Sequence, residues 1–168
     1  MANGPELTAG GAGGQLVLQA VYLKDCSFEA PQGPRATGEW NPQIGLDLNT
    51  AINPLEGDLR EIVLTVTVSA KFPDRTAFLV EVKQAGAFTM QNLTPEEFRR
   101  AAGVVCPGIL FPYARAVVSS LISQGGFPQL LLPPVNFEAL YNSGVAAAAA
   151  GANAGASAAT DGGPTTKN

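Results

Sequence analysis

From Gln15 to Met90 apolar residues recur at every second position in four runs, the period of β-strands with two distinct faces. In QLVLQAVYLKDCSF, residues 15–28, Leu16, Leu18, Ala20 and Tyr22 share one face and Val17, Val21 and Leu23 the other, so both faces are expected to be covered. Pro31, Pro34 and Pro42 then fix extended or turn geometry and remove ladder donors, which predicts a long crossover loop carrying Trp40. Alternation resumes in IGLDLNT, where Ile44, Leu46 and Leu48 oppose Asp47 and Asn49, and it stops at the turn former NPLEGD. REIVLTVTVSAKF, residues 60–72, is the clearest amphipathic strand, with Ile62, Leu64, Val66, Val68 and Phe72 opposite Val63, Thr65, Thr67 and Ser69. Pro73 and Asp74 turn the chain into TAFLVEVKQAGAFTM, residues 76–90, which sets Phe78, Val80 and Val82 against Leu79, Glu81 and Lys83. Short turns between successive strands predict an antiparallel sheet.

After Met90 the period becomes helical. Thr94-Pro95-Glu96-Glu97 places a capping threonine, a proline at the first helical position and a glutamate at the third, predicting a short helix. A longer helix is expected from about Pro107 to Ser123, with Pro112 in or near its first turn, Gly125 and Gly126 as its stop, and Leu110, Tyr113, Ala114, Val117, Leu121 and Ile122 as its apolar stripe. Beyond the proline-rich GGFPQLLLPPVNF, a last helix begins near Val135 or Asn136 and carries Phe137, Leu140 and Tyr141. Glycine-rich residues 1–14 read as a flexible N-terminal arm and residues 145–168 as a low-complexity Ala/Gly tail, leaving 15–144 as one domain.

The chain has 168 residues and 46% hydrophobic content, enough for one core without disulfide or metal support. A formal charge of −4 argues against a nucleic-acid partner, since such proteins neutralise phosphates with Lys and Arg. The absence of histidine removes Ser/His/Asp and Cys/His catalysis and imidazole metal ligation. Cys26 and Cys106 form no CxxC or zinc-ligand set and read as small buried hydrophobes in a reduced, cytoplasmic protein. MANGPELTAGGAGG has neither the basic nor the apolar region of a secretory signal. The uncharged stretch from Ala116 to Phe137 is interrupted by Ser119, Ser120, Gln124, Gly125, Gly126, Pro128 and Gln129, so no membrane insertion is expected. No GxxxxGK[ST] loop or GxGxxG turn is present, and no cofactor, metal or ATPase activity is expected. An enzyme would have to rest on carboxylates such as Asp47 with Glu61, which nothing in the sequence brings together, so a non-catalytic protein is expected.

Four stretches in order, YLKDCSFEAP, FLVEV, CPGILFPYAR and GFPQLLLPPVNFEALY, resemble the SecB family of protein-export chaperones. The similarity runs from about Gln15 to Tyr141. It implies an α+β fold in which a four-stranded antiparallel sheet carries a long helix on one face and a C-terminal helix, assembling as a homotetramer, a dimer of dimers. It implies an ATP-independent chaperone that binds unfolded secretory precursor proteins and delivers them to the SecA ATPase of the Sec pathway. Gly108 stands where the family commonly has Asn, Val80 where it often has Cys, and the Ala/Gly tail is not a usual family feature.

The same resemblance assigns residues. Asp25, Glu29, Leu79 and Glu81 match the SecA-docking positions, and the two-residue and four-residue spacings put each pair on one strand face. Val80, Val82 and Gln84 match the strand face that joins dimers into tetramers, with the alternative that they face their own helix. Phe28, Trp40, Leu46, Phe78, Tyr113, Phe127 and Phe137 are candidates for a client groove, because a holding chaperone needs exposed apolar surface that accepts many sequences. Ordinary core is the competing role for each aromatic; Trp40, in a proline-bounded loop, is the strongest groove candidate. A β-rich module for a small ligand or another protein also fits the sheet, but it leaves GFPQLLLPPVNF without a purpose.

Overall fold

The alternating runs fold as strands. In the computed structural model, which describes residues 6–7, 13–34 and 38–144, β1 spans Glu6–Leu7, β2 Gln15–Glu29, β3 Gln43–Pro54, β4 Leu59–Phe72 and β5 Arg75–Gln91. Among the described residues they form one sheet in the order β1-β2-β5-β4-β3, antiparallel throughout. The four long strands are those expected, with β3 continuing past Thr50 to Pro54. Glu6 and Leu7, within the segment expected as an arm, pair with Val17 and Leu16. Residues 1–5, 8–12 and the tail from 145 lie outside the described residues.

Directly opposed residues of an antiparallel ladder share a face, so the register sorts the sheet into two surfaces. One surface carries Phe78, Val80, Val82, Gln84, Gly86 and Phe88 of β5, opposite Ala70, Val68, Val66, Leu64, Ile62 and Arg60 of β4. From Phe78 to Phe88 and from Ile62 to Ala70 the residues named here are buried. The other surface carries Leu79, Glu81, Lys83, Ala85 and Ala87, opposite Ser69, Thr67, Thr65, Val63 and Glu61. β2 follows the same alternation, except where bulges between Leu18 and Ala20 and between Leu23 and Asp25 each insert one residue.

The helix lies on the first surface. A Cβ added to Gly86 would stand 3.0 Å from the Leu110 side chain and 2.6 Å from the Phe88 ring, so this glycine lets helix and sheet approach closely. The two helices expected after Met90 are one continuous rod: α1, Pro95–Arg100, runs through a π-helical turn, Ala101–Val105, into α2, Cys106–Gln124. Thr94 and Glu97 form the expected reciprocal capping box. The π turn precedes Pro107, which has no N–H for the carbonyl four residues back, and the Cys106 N–H reaches Ala101 O, five back. Pro112 is therefore interior to the rod rather than at its start; it and Gly108, whose carbonyl it cannot bond, both lie on the exposed face. This rod is long and apolar enough to cross a membrane by length and composition, but Cys106, Pro107, Leu110, Phe111, Ala114, Val118 and Ile122 are buried, and α2 contacts β5, β4 and β2. The stripe is thus turned from the expected one: Phe111 and Val118 enter it and Tyr113, 51% exposed, leaves it.

Among the described residues, 136–144 belong to a second unit, separate from the sheet and long helix. Its helix α3 covers residues 137–144, beginning next to the start expected near Val135 or Asn136, and Asn136 caps it by accepting the Ala139 N–H at 3.0 Å.

Candidate functional site

Four of the seven groove candidates meet in one aromatic cluster. Phe28 on β2 stacks on Phe78 of β5 at 6.1 Å between ring centroids, and Phe127, just past α2, stands edge-on to Phe78 at 5.2 Å. Trp40 caps the cluster at 5.6 Å from Phe127 and 6.4 Å from Phe78. Phe78 and Phe127 are buried while Trp40 remains 38% exposed, so the indole is the cluster's face to solvent. An open cleft of about 200 Å³ adjoins it, lined by Pro34, Trp40, Phe72, Arg75, Phe127 and Pro128 among others.

The local sequence explains the convergence. The crossover loop delivers Trp40 over the β4–β5 turn, and the helix ends in Gly125 against Phe28. A Cβ at Gly125 would stand 2.3 Å from the Phe28 ring, so only glycine lets the helix terminus seat on that aromatic. Phe72 and Arg75 were not anticipated as groove residues. Phe72 meets the Trp40 ring edge-on at 5.8 Å, and the Arg75 guanidinium lies 4.1 Å above the Phe72 ring. The available signal was their position on either side of the Pro73-Asp74 turn, which makes them cross-strand partners.

Leu46 and Tyr113 stand outside the ring contacts. Leu46 is exposed on β3 and begins a row, Leu46–Val68–Val80–Phe28, that crosses all four long strands on the helix-side surface. Three strand spacings, about 14 Å, separate it from Phe28. With exposed Ile44 and Ile52 it forms an apolar margin on β3 rather than part of the aromatic cluster. Phe137 begins α3 in the separate unit.

The four acidic-patch candidates share the opposite surface of the sheet. Glu29 is directly opposed to Leu79, Ser27 to Glu81 and Asp25 to Lys83, so β2 and β5 are the neighbours that the spacing required. Leu79 is 37% exposed, and Asp25 and Glu29 are exposed. Glu81 pairs loosely with Lys83, at 3.7 Å, with both side chains near 40% exposure.

Higher on that surface Glu61 is buried and triply bonded. Its Oε2 accepts from Lys24 Nζ at 2.6 Å and from Asn53 Nδ2 at 2.8 Å, and its Oε1 accepts from Tyr22 Oη at 2.5 Å. Tyr22 and Lys24 belong to β2 and must cross β5 to reach β4; the residues beneath them, Ala85 and Ala87, are small enough to allow it. The Lys24 ammonium, then Tyr22 and Asn53, hold the Glu61 carboxyl at about 2 against the opposing effect of burial. Donating to that carboxylate, with burial and its negative charge adding, pushes the Tyr22 phenol up to about 12.

Val80, Val82 and Gln84 are fully or almost fully buried within the single chain, on the surface that α2 covers. Within the single chain they face their own helix, the alternative that the sequence left open. Coverage of both faces of β2 is not found: Tyr22 and Leu23 are exposed, because beyond Val17 β2 is paired on one edge only among the described residues. Cys106 is buried, which pushes its thiol up to about 12, whereas Cys26 is exposed rather than buried. Asp47 and Glu61 are opposed to Thr67 and Asn53, six residues apart along the strands and so about 20 Å from one another, too far for a paired-carboxylate mechanism. Among the described residues no group of His, Cys, Asp and Glu side chains is placed to hold a metal ion.

The family described as "Preprotein translocase subunit SecB" matches residues 10–148. Protein-export protein SecB of Pseudomonas aeruginosa strain PAO1 is 51% identical over 134 residues, 79% of this chain and 82% of that one. Protein-export protein SecB of Hahella chejuensis is 47% identical over 129 residues, 76% and 81% of the two chains. Among solved structures, the Mycobacterium tuberculosis Rv1957 SecB-like chaperone in complex with a ChAD peptide from the Rv1956 HigA1 antitoxin has the same fold: TM-score 0.59 at 16% identity, over 71% of this chain and 87% of that one.

Proposed function

The chain belongs to the SecB family, and from that premise we propose that it holds unfolded secretory precursors in the cytosol and delivers them to the SecA ATPase. It is a protein-export chaperone. The observation that carries the mechanism is the separation of the two candidate surfaces by the sheet itself. Aromatic rings open beside the helix, while Asp25, Glu29, Leu79 and Glu81 stand on the reverse side. A subunit built this way can keep a client on one side while a basic partner docks on the other.

The client side works through exposed Trp40 and half-buried Phe28, seated on the buried rings of Phe78 and Phe127, and such apolar faces accept side chains of many kinds without a fixed hydrogen-bond pattern. The exposed apolar residues of β3 extend that surface. The docking side offers carboxylates that steer and orient a positively charged partner, with Leu79 as an apolar contact. Binding requires no nucleotide in this scheme, and release is driven by hydrolysis on SecA. Exposed Tyr22 and Leu23 on β2 support assembly of subunits into a dimer of dimers, in which several grooves act on one long client.

Charge reversal at Asp25 and Glu81 tests the docking side. SecA affinity at low salt is expected to fall by roughly tenfold or more with client retention unchanged. Unaltered SecA affinity would reject the acidic face as the docking surface.

A further inference from the structure

Two lysines, Lys24 on β2 and Lys83 on β5, stand beside Asp25 and Glu81, and the structure treats them differently. Lys83 stands opposite Asp25 and beside Glu81, in the middle of the patch, and its nearest anion is 3.7 Å away on an exposed carboxylate. Lys24 immediately precedes Asp25, and the bulge between Leu23 and Asp25 takes it out of the regular ladder. Its ammonium nevertheless lies 2.6 Å from Glu61 Oε2, on a carboxylate only 9% exposed that Tyr22 and Asn53 also fix. The two lysine side chains have nearly the same exposure, 43% and 41%, so the difference lies in their anchoring.

We propose that Glu61 is a positioning residue for SecA docking: it neutralises Lys24 and ties its ammonium back across β5, which keeps the face around Asp25, Glu29 and Glu81 negative. The inference rests on the docking face proposed above. Without Glu61 the four-carbon stem of Lys24 is free to turn toward its neighbour Asp25, and the face carries one more uncompensated positive charge. Lys83 plays the opposite part, since a loose exposed pair is easily broken by an arriving cation.

Purified SecA and the full chain, in low and moderate salt, provide the test. Glu61→Gln, an isosteric change that can still bond Tyr22 and Asn53, is expected to weaken SecA binding about fivefold at low salt, with the loss shrinking as salt rises. Adding Lys24→Gln to Glu61→Gln is expected to restore the affinity, an outcome that a purely structural role for Glu61 does not produce. A double variant as weak as Glu61→Gln alone, or a Glu61→Gln variant of full affinity, overturns the proposal. The unmodified protein supplies a readout independent of whether these variants fold. An amine-reactive probe should label Lys24 several-fold more slowly than Lys83, and bound SecA should protect Lys83 but not Lys24. Equal labelling of the two, with SecA protecting both, would make Lys24 part of the docking surface and contradict the assignment. If reversal at Asp25 and Glu81 leaves SecA binding intact, the docking face itself fails; if that reversal weakens binding while the Glu61→Gln contrast is absent, only the role of Glu61 fails.

Discussion

Gly125 shows how much a single position carries. A methyl group there would overlap the Phe28 ring, and neither the helix terminus nor β2 can retreat without opening the aromatic cluster. Gly125→Ala is expected to lower stability by about 1–3 kcal/mol in urea unfolding and to alter the Trp40 fluorescence spectrum; an unchanged midpoint would contradict the close approach. Glu61 sets a pH dependence. Its folded-state pKa of about 2 lies below the ordinary 4.5, so its stabilising contribution is complete above 4.5 and is lost as pH falls toward 2. Tyr22, raised to about 12, contributes fully below 10 and loses its contribution as pH rises toward 12. Glu61→Gln should flatten the acid limb of the stability profile between pH 4.5 and 2, and an acid limb identical to that of the parent would exclude the network as its source. Trp40 was legible in the sequence because an indole in a proline-bounded loop has little reason to be core. Glu61 was not, since its partners come from two other strands, β2 and β3, and nothing along the chain announces that Ala85 and Ala87 leave room for them.

Among the elements, period-two alternation identified all four long strands, because one face of β4 and β5, from Ile62 to Ala70 and from Phe78 to Phe88, is apolar but for Gln84, and a one-residue slip would expose it. The same logic put Asp25, Glu29, Leu79 and Glu81 on one surface once β2 and β5 proved to be neighbours. It failed at the helices. Pro107 and Pro112 read as boundaries, but a π turn before the first and an exposed Gly108 beneath the second let one rod run from Pro95 to Gln124. The rotated stripe lies wholly within α2, where Phe111 and Val118 pack on the sheet and Tyr113 turns outward. The capping box at Thr94 anchors the rod's start. Thr94→Ala should cost about 1 kcal/mol, measured by thermal or urea unfolding, and a neutral effect would show that sheet contacts alone fix the terminus.

For the whole molecule, the sheet is a partition with a covered side and an open side. Which side a residue occupies decides what its substitution does. Val80 sits beneath α2 with no exposure, so Val80→Asp buries an unpaired carboxylate and should unfold the subunit instead of releasing intact dimers. A folded, dimeric Val80→Asp protein in sedimentation would restore that strand to the subunit interface. The alternation of β5 leaves this open, because both the helix and a second subunit would favour the same apolar residues; within the single chain Gly86 approaches Leu110 of its own helix. The proposed mode of client capture rests on the opening of the aromatic cluster beside Trp40. The most direct measurement is refolding of a destabilised secretory precursor, diluted from denaturant into the parent protein or Trp40→Ala without nucleotide. The parent protein should keep the precursor soluble and slow its refolding while leaving a folded control unbound, and Trp40→Ala, still folded, should do so less well. A precursor that refolds at its spontaneous rate beside the parent protein would contradict the account.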